Sequence, residues 1–271
     1  MTRDDPPPGA ERPGPASGDG ASPEGDVPPG DASPEGGVPP EDDASSGGPG
    51  GSTALYRAAV RGDAVTVRRL LASGADPDLE SGGDSEGLPL CAAAAWGHLE
   101  VVAALLGAGA DPDRREDVGR TATTALHWAV SNGHLAVVRE LLAAGADTGT
   151  ADPVGRTALS HAAERGSAAV VGALLDHGAD PAAADRQGRR PADLARRYAR
   201  GDVEAELLAQ ASERAPRGAR ITVRREEAEG GEVRIVAEVR DDAGHLRSES
   251  WLGTGHAEIV RLLEAREAAR A

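Results

Sequence analysis

From Thr53 onward the apolar positions fall into four segments built on one plan: TALYRAAVRGDAVTVRRLLASGAD from Thr53, LPLCAAAAWGHLEVVAALLGAGAD from Leu88, TALHWAVSNGHLAVVRELLAAGAD from Thr124 and TALSHAAERGSAAVVGALLDHGAD from Thr157. In each, a leading Leu stands seven residues before one Gly, and that Gly stands twelve before the next: Leu55, Gly62, Gly74; Leu90, Gly97, Gly109; Leu126, Gly133, Gly145; Leu159, Gly166, Gly178. The spacing predicts a short helix, a tight turn at the first Gly, a second helix and a break at the second Gly, because Gly accepts the left-handed conformation that ends a helix. Thr53, Thr124 and Thr157 each offer an oxygen to cap a first helix. In the second helix of the third unit, Leu135, Val138, Leu141 and Leu142 fall at helical spacing on one stripe. A helix pair cannot bury that stripe alone. Stacking the next pair does, at roughly 1.5–3 kcal/mol per fully buried Leu or Val, so three or more units are needed for an independent fold.

The pattern differs on both sides of these units. Residues 1–51 hold few apolar side chains beyond Val27, Val38 and scattered Ala, and duplicate eleven residues imperfectly, Ala21 to Asp31 and Ala32 to Asp42. Such a stretch buries too little surface to offset ordering entropy, which predicts a disordered acidic tail. From Ala219 the period becomes two: Ile221 and Val223, then Val233, Ile235, Ala237 and Val239, alternate with polar neighbours. Turn signals at Glu229-Gly230-Gly231 and Asp241-Asp242-Ala243-Gly244 separate the runs, predicting three strands with His245 to Trp251 as the last. A helix follows from about Gly255, with Ile259, Leu262, Leu263 and Arg266 on one side. Residues 213–271 thus read as a small βββα module, too short to be stable alone and expected to dock on the last repeat.

Three features carry a resemblance to the ankyrin-repeat family: the T-A-L-H of Thr124 to His127, the G-H-L of Gly97 to Leu99 and of Gly133 to Leu135, and the G-A-D closing each unit. The resemblance covers roughly residues 53–210. It implies a mainly α solenoid of L-shaped repeats with stacked helices and hairpin-like fingers between them, and a role in protein recognition. Four units match clearly, and Arg190 to about Gln210 reads as a degenerate capping repeat made polar by Arg196, Arg197 and Arg200. The repeat domain then spans 52–212. The stretch GHAEIVRLLEA at 255–265 also resembles a second ankyrin helix lacking its first; it is read here as an amphipathic helix of the C-terminal module.

Composition narrows the chemistry. Aromatics are only 2% of the chain against 39% apolar residues, so the core must be built from Leu, Val and Ala, as suits thin stacked helices. The net charge is -16, and the first fifty residues contribute eleven acids against Arg3 and Arg12. An acidic chain repels phosphate backbones and anionic membranes, so neither nucleic acid nor membrane is expected as a partner. Cys91 is the single cysteine and no apolar run of signal or membrane length occurs near the N-terminus, which points to a reducing, cytoplasmic setting. Lysine is absent while Arg, Ala, Gly and Pro abound, as in a GC-rich, bacterial genome.

One constellation tests for catalysis. Tyr56, Cys91, His127, Ser160 and Asp193 hold the same place in successive units. Nucleophile and base must approach to about 2.6–3.2 Å, whereas neighbouring helices pack roughly 8–10 Å apart, so the ladder is too coarse for a triad. His127 is read as bonding within its own turn, Cys91 as a packed side chain, and His98 and His134 as local to the turns they follow. His177 sits near a helix end, where a cation is favourable. No metal spacing is found: Asp76-Pro77-Asp78 and Asp111-Pro112-Asp113 lack the alternating oxygens and central Gly of a calcium loop. Neither enzyme nor cofactor is expected.

The remaining expectation is a recognition surface. The family resemblance places partners on the concave side of first helices and fingers, so the residues before each turn Gly are the natural contacts: Val60 and Arg61, Ala95 and Trp96, Ser131 and Asn132, Glu164 and Arg165. Trp96 is a large ring at a place usually solvated, the type found at hot spots. Gly74 to Leu90 spans sixteen residues and Gly109 to Leu126 seventeen, against fourteen for Gly145 to Leu159. The longer fingers place contacts at Glu80 to Gly87 and at Arg114 to Arg120, with Arg114, Arg115, Glu116 and Arg120 foremost. The chain is expected to be a non-enzymatic scaffold, monomeric when unbound, that holds a protein. The rival expectation is a regulatory or neutralising subunit of a neighbouring enzyme or toxin, touching it through the C-terminal module.

Overall fold

The computed structural model describes residues 51–80, 87–116 and 122–270; the expected tail up to Gly50 and the tips of the first two fingers lie outside the described residues. Each repeating segment folds as two helices: α1 Gly51–Arg61 with α2 Ala64–Ala72, α3 Pro89–Ala95 with α4 Leu99–Gly107, α5 Ala125–Asn132 with α6 Leu135–Ala143, and α7 Ala158–Arg165 with α8 Ala168–Asp176. The turn glycines Gly62, Gly97, Gly133 and Gly166 all take positive φ, between 72° and 80°. They end the first helices as the spacing requires.

The expected caps at Thr124 and Thr157 do not form: both stand at N-caps without a side-chain bond to the helix backbone, and Thr53 falls within α1. Thr124 instead turns its hydroxyl to His127 Nδ1 at 2.9 Å, satisfying a buried ring nitrogen. Fingers are tied to one another by carboxylates. Asp78 accepts the Asp111 N–H through both oxygens at 3.1 Å, and Asp113 accepts the Asp147 N–H at 2.8 Å.

The core is a continuous band of small and branched side chains. First helices give Leu55, Leu90, Leu126 and Leu159, and second helices give Val67, Leu105, Leu141 and Leu174, all buried. Stacking is reinforced by histidine. His98 Nε2–H donates to the Val60 carbonyl of the preceding repeat at 3.0 Å, and His134 Nε2–H to the Ala95 carbonyl at 3.1 Å. These are bonds between repeats, and so correct the expectation of a purely local role. Each ring lies flat against a turn glycine: a Cβ on Gly62 would meet His98 Nδ1 at 2.7 Å, and one on Gly97 would meet His134 Nδ1 at 2.6 Å.

Beyond α8 the chain departs from the expected plan. α9 Pro191–Ala199 packs on α7 as the next first helix. The following α10 Val203–Arg214 turns away to cover a three-stranded antiparallel sheet, β1 Arg220–Glu227, β2 Val233–Arg240 and β3 Leu246–Gly253, in the order β1-β2-β3. α11 His256–Ala268 then returns and packs against α9, α8 and α7. Its His256 Nε2–H donates to the Glu164 carbonyl at 2.8 Å, the carbonyl two residues before Gly166, as Val60 and Ala95 stand two before Gly62 and Gly97. Ile259 and Leu263 join the repeat core. In space α11 is therefore the second helix of a fifth pair whose first helix is α9, with α10 and the sheet inserted between them. The likeness of residues 255–265 to a second ankyrin helix is thus a positional identity, and the capping repeat is not completed by residues up to Gln210.

The inserted sheet is buried on one face and covered in part on the other. Ile235, Ala237, Val239 and Leu252 cluster with Tyr198, Leu207 and Ala211 from α9 and α10. On the opposite face of β2, Val236 is fully buried and pairs across the sheet with Trp251.

Candidate protein-binding face

Trp251 leaves the sheet to lie over Gly133, where a Cβ would meet its ring at 2.9 Å. In the other pairs a histidine fills that space, but the fourth repeat reads Gly166-Ser167 instead of Gly-His. Ser167 gives its hydroxyl to Glu232 at 2.8 Å, and the indole takes the place of the missing ring. Glu229 accepts the Ala136 N–H at 2.7 Å and Glu232 the Ala169 N–H at 2.6 Å. Both carboxylates sit at the positive ends of second helices, where negative charge is favoured. The turn between β1 and β2 thereby closes the edge formed by the turns of repeats three and four.

This cover removes two of the expected contacts. Glu164 and Arg165 are 5% and 8% exposed. The Glu164 carboxylate pairs with buried Arg156 Nη1 at 2.9 Å, while Arg165 Nη1 donates to the Trp251 carbonyl at 3.0 Å with its guanidinium over the indole. Glu164 is engaged by its own finger and Arg165 by the insertion, and neither faces solvent for a partner. Glu116 is likewise drawn inward: it accepts from Trp128 Nε1 at 2.9 Å and from the Leu88 N–H at 3.2 Å, and burial pushes its carboxyl above the usual range. It clasps the second finger to repeats two and three.

The other expected contacts stay at the surface. Arg61, Arg114 and Arg115 are exposed, and Val60, Ala95, Ser131 and Asn132 are half-buried, Asn132 donating to the Trp128 carbonyl at 3.0 Å. Trp96, at the end of α3, is 41% exposed. Arg120 lies outside the described residues. Two further apolar side chains that the sequence did not single out as contacts are exposed at the turns of repeats one and two, Val65 at 73% and Leu99 at 40%. Leu99 belongs to the same Gly-His-Leu motif as Leu135, which is buried at 3% beneath the inserted turn. Nothing in the motif itself distinguishes the covered from the open copy.

The polar ladder is not arranged for nucleophilic chemistry. His127 Nε2 faces the Arg156 carbonyl at 3.4 Å and Nδ1 faces Thr124, so neither nitrogen addresses Cys91 or Ser160. Burial, and after it His161, brings the His127 pKa down to about 4. Cys91 is buried, and desolvation pushes its thiol well above its ordinary value, opposite to an activated nucleophile. Among the described residues no helix is long and apolar enough to cross a membrane.

A family model described as Ankyrin repeats (3 copies) matches residues 38–116 and 114–185. The match stops before α9, so the fifth pair is recognised by its packing alone. No curated protein matches the chain. Ankyrin repeats generally mediate protein–protein interaction and are typically non-enzymatic. With the matched segments spanning more than half its length, and helix pairs stacked through one histidine-to-carbonyl bond, the chain belongs to the ankyrin-repeat family.

Proposed function

We propose that the chain is a non-enzymatic scaffold of a reducing, cytoplasmic compartment that holds a protein partner on the open part of repeats one to three. The observation that carries this reading is Trp96. A large ring is 41% exposed at the turn of repeat two, where Leu99 is also exposed, and Val65 and Arg61 are exposed at the turn of repeat one, while the equivalent edge of repeats three and four is closed by the chain's own insertion. Val60, Ser131, Asn132, Arg114 and Arg115 complete the face as polar and apolar surroundings, and Glu164 and Arg165 are excluded from it. Binding energy concentrates on such a ring because it displaces much water at low conformational cost. The mechanism is complementarity to a surface held rigid by stacked helices, without a cofactor.

The test is capture from extract of the native cell, comparing the full chain with Trp96→Ala. Since the ring is 41% exposed and lies outside both core clusters, the variant should keep its helical signal and melting temperature while losing about tenfold or more of the specifically captured protein. An identical captured set from the folded variant would remove Trp96, and with it this face, from the function.

A further inference from the structure

The chain carries its own example of what seats on a turn edge. At repeats three and four the tip Glu229-Gly230-Gly231-Glu232 supplies carboxylates to the N–H groups of Ala136 and Ala169. Between them Gly230 comes so close that a Cβ would stand 3.2 Å from Leu135 and 3.3 Å from Ala169. An acid for the helix end and a glycine for the close approach are the two chemical requirements of this seat. One repeat earlier the same Gly-His-Leu motif presents Leu99 uncovered, next to Trp96. There α4 starts without a side-chain cap, whereas α2 is capped by Asp63.

We propose that the Trp96–Leu99 edge is a docking surface for a protein partner that presents an acidic, glycine-centred turn of the Glu-Gly-Gly kind. The inference rests on the scaffold reading above and names the partner's chemistry. Continuity selects this occupant: the open edge runs directly on from one filled by such a turn, over an identical motif. Arg61 is exposed on the same edge; of the acids there, Asp63 is engaged in capping α2, and Glu100, which stands where the filled edge has Ala136, lies 3.7 Å from Arg68. The glycine lies over Leu99, the carboxylate approaches the start of α4, and a neighbouring apolar side chain of the partner covers Trp96.

The test uses the full chain, isotope-labelled for NMR, titrated with a cyclised peptide of the sequence Glu226 to Arg234, so that the turn is preformed. Saturable shifts are expected at the Trp96 indole and the Glu100 amide, with a Kd of about 0.1–1 mM for so small a probe. The Trp251 indole should not move. Leu99→Asp, at a position exposed enough to leave folding intact, should weaken binding about tenfold or more, and so should a peptide in which the residue matching Gly230 is Val. Absence of a saturable shift at Trp96, equal binding by Leu99→Asp, or shifts at Trp251 and Ala136 that report displacement of the inserted turn would each overturn the proposal. If the peptide fails while Trp96-dependent capture persists, only the partner's chemistry is wrong. If capture fails as well, the scaffold face falls with it.

Discussion

His127, His134 and His256 are structural groups whose protonation is opposed by burial. His127 is neutral in the fold, with a pKa near 4 against 6.5 for the free side chain. The unfolded chain takes a proton below 6.5 that the folded chain refuses, so the contribution of His127 is full above that value and is lost as pH falls towards about 4. Burial lowers His134 and His256 in the same direction, whereas it raises Glu116, whose contribution fades as pH rises through its folded value. Comparison with His127→Gln isolates one group. The stability advantage of the parent chain should shrink by about 3 kcal/mol between pH 7 and pH 4, followed by denaturant unfolding at each pH. Parallel pH profiles would show that the ring is not held neutral. His98 and His134 illustrate what residue spacing conveys. Their place after a turn glycine was legible in the sequence, but their bond partners lie in the preceding repeat, and no local pattern names a carbonyl some forty positions away.

Among the elements, the helix pairs were legible because Leu and Gly recur at fixed distances, and the strands because Ile and Val alternate with charge. The partner of α9 was not. Leu194 stands seven residues before Gly201, as Leu55 does before Gly62, and Asp202 follows as Asp63 does, so α10 carries the local marks of a second helix. Its Leu207 and Ala211 are spent on the sheet instead, and the place beside α8 goes to α11, which brings a histidine and the core residues Ile259 and Leu263. The candidate face was read with the same limit. Trp96 was recognisable as a ring out of place, but Arg165 is engaged by Trp251 and the Glu164 carbonyl by His256, both contributed from far along the chain. The shared fifth pair has a direct test. A chain in which Arg200 is joined to Gly255, omitting α10 and the sheet and keeping the seven-residue step from Leu194 to a glycine, should keep a cooperative helical transition, although at lower temperature because Leu135 and Tyr198 lose their cover. Ending the chain at Thr254 should cost about 5 kcal/mol, from loss of two or three buried aliphatic side chains. Circular dichroism melts of the two variants decide the matter, and a better-folded truncation than splice would contradict the assignment of α11.

For the molecule as a whole, stability should be unequal along the stack. Repeats interact only with their neighbours, so resistance to opening follows the number of interfaces each helix shares. Among the described residues α1 and α2 have neighbours on one side and an open turn edge. α6, α7 and α8 are flanked on both sides, and the insertion ties them through Glu229, Glu232 and Trp251. Deuterium exchange read by mass spectrometry should find α1 and α2 exchanging fastest and α6 to α9 slowest, and uniform protection would speak against a clamp. The arrangement leaves the more yielding repeats on the side that carries Trp96, and the braced ones under the insertion.

The interrupted fifth pair also bears on how the chain matures on the ribosome. The first four pairs emerge in the order in which they stack and can associate as they appear. α9 emerges next but must wait through the synthesis of α10 and three strands before its companion helix is made, and for that interval the flank of α8 is bare to water. A nascent chain paused there presents an unfinished row with aliphatic side chains waiting for α11, which makes the stretch from Gly201 to Gly255 the span where slow translation would most expose the protein to aggregation or to a chaperone.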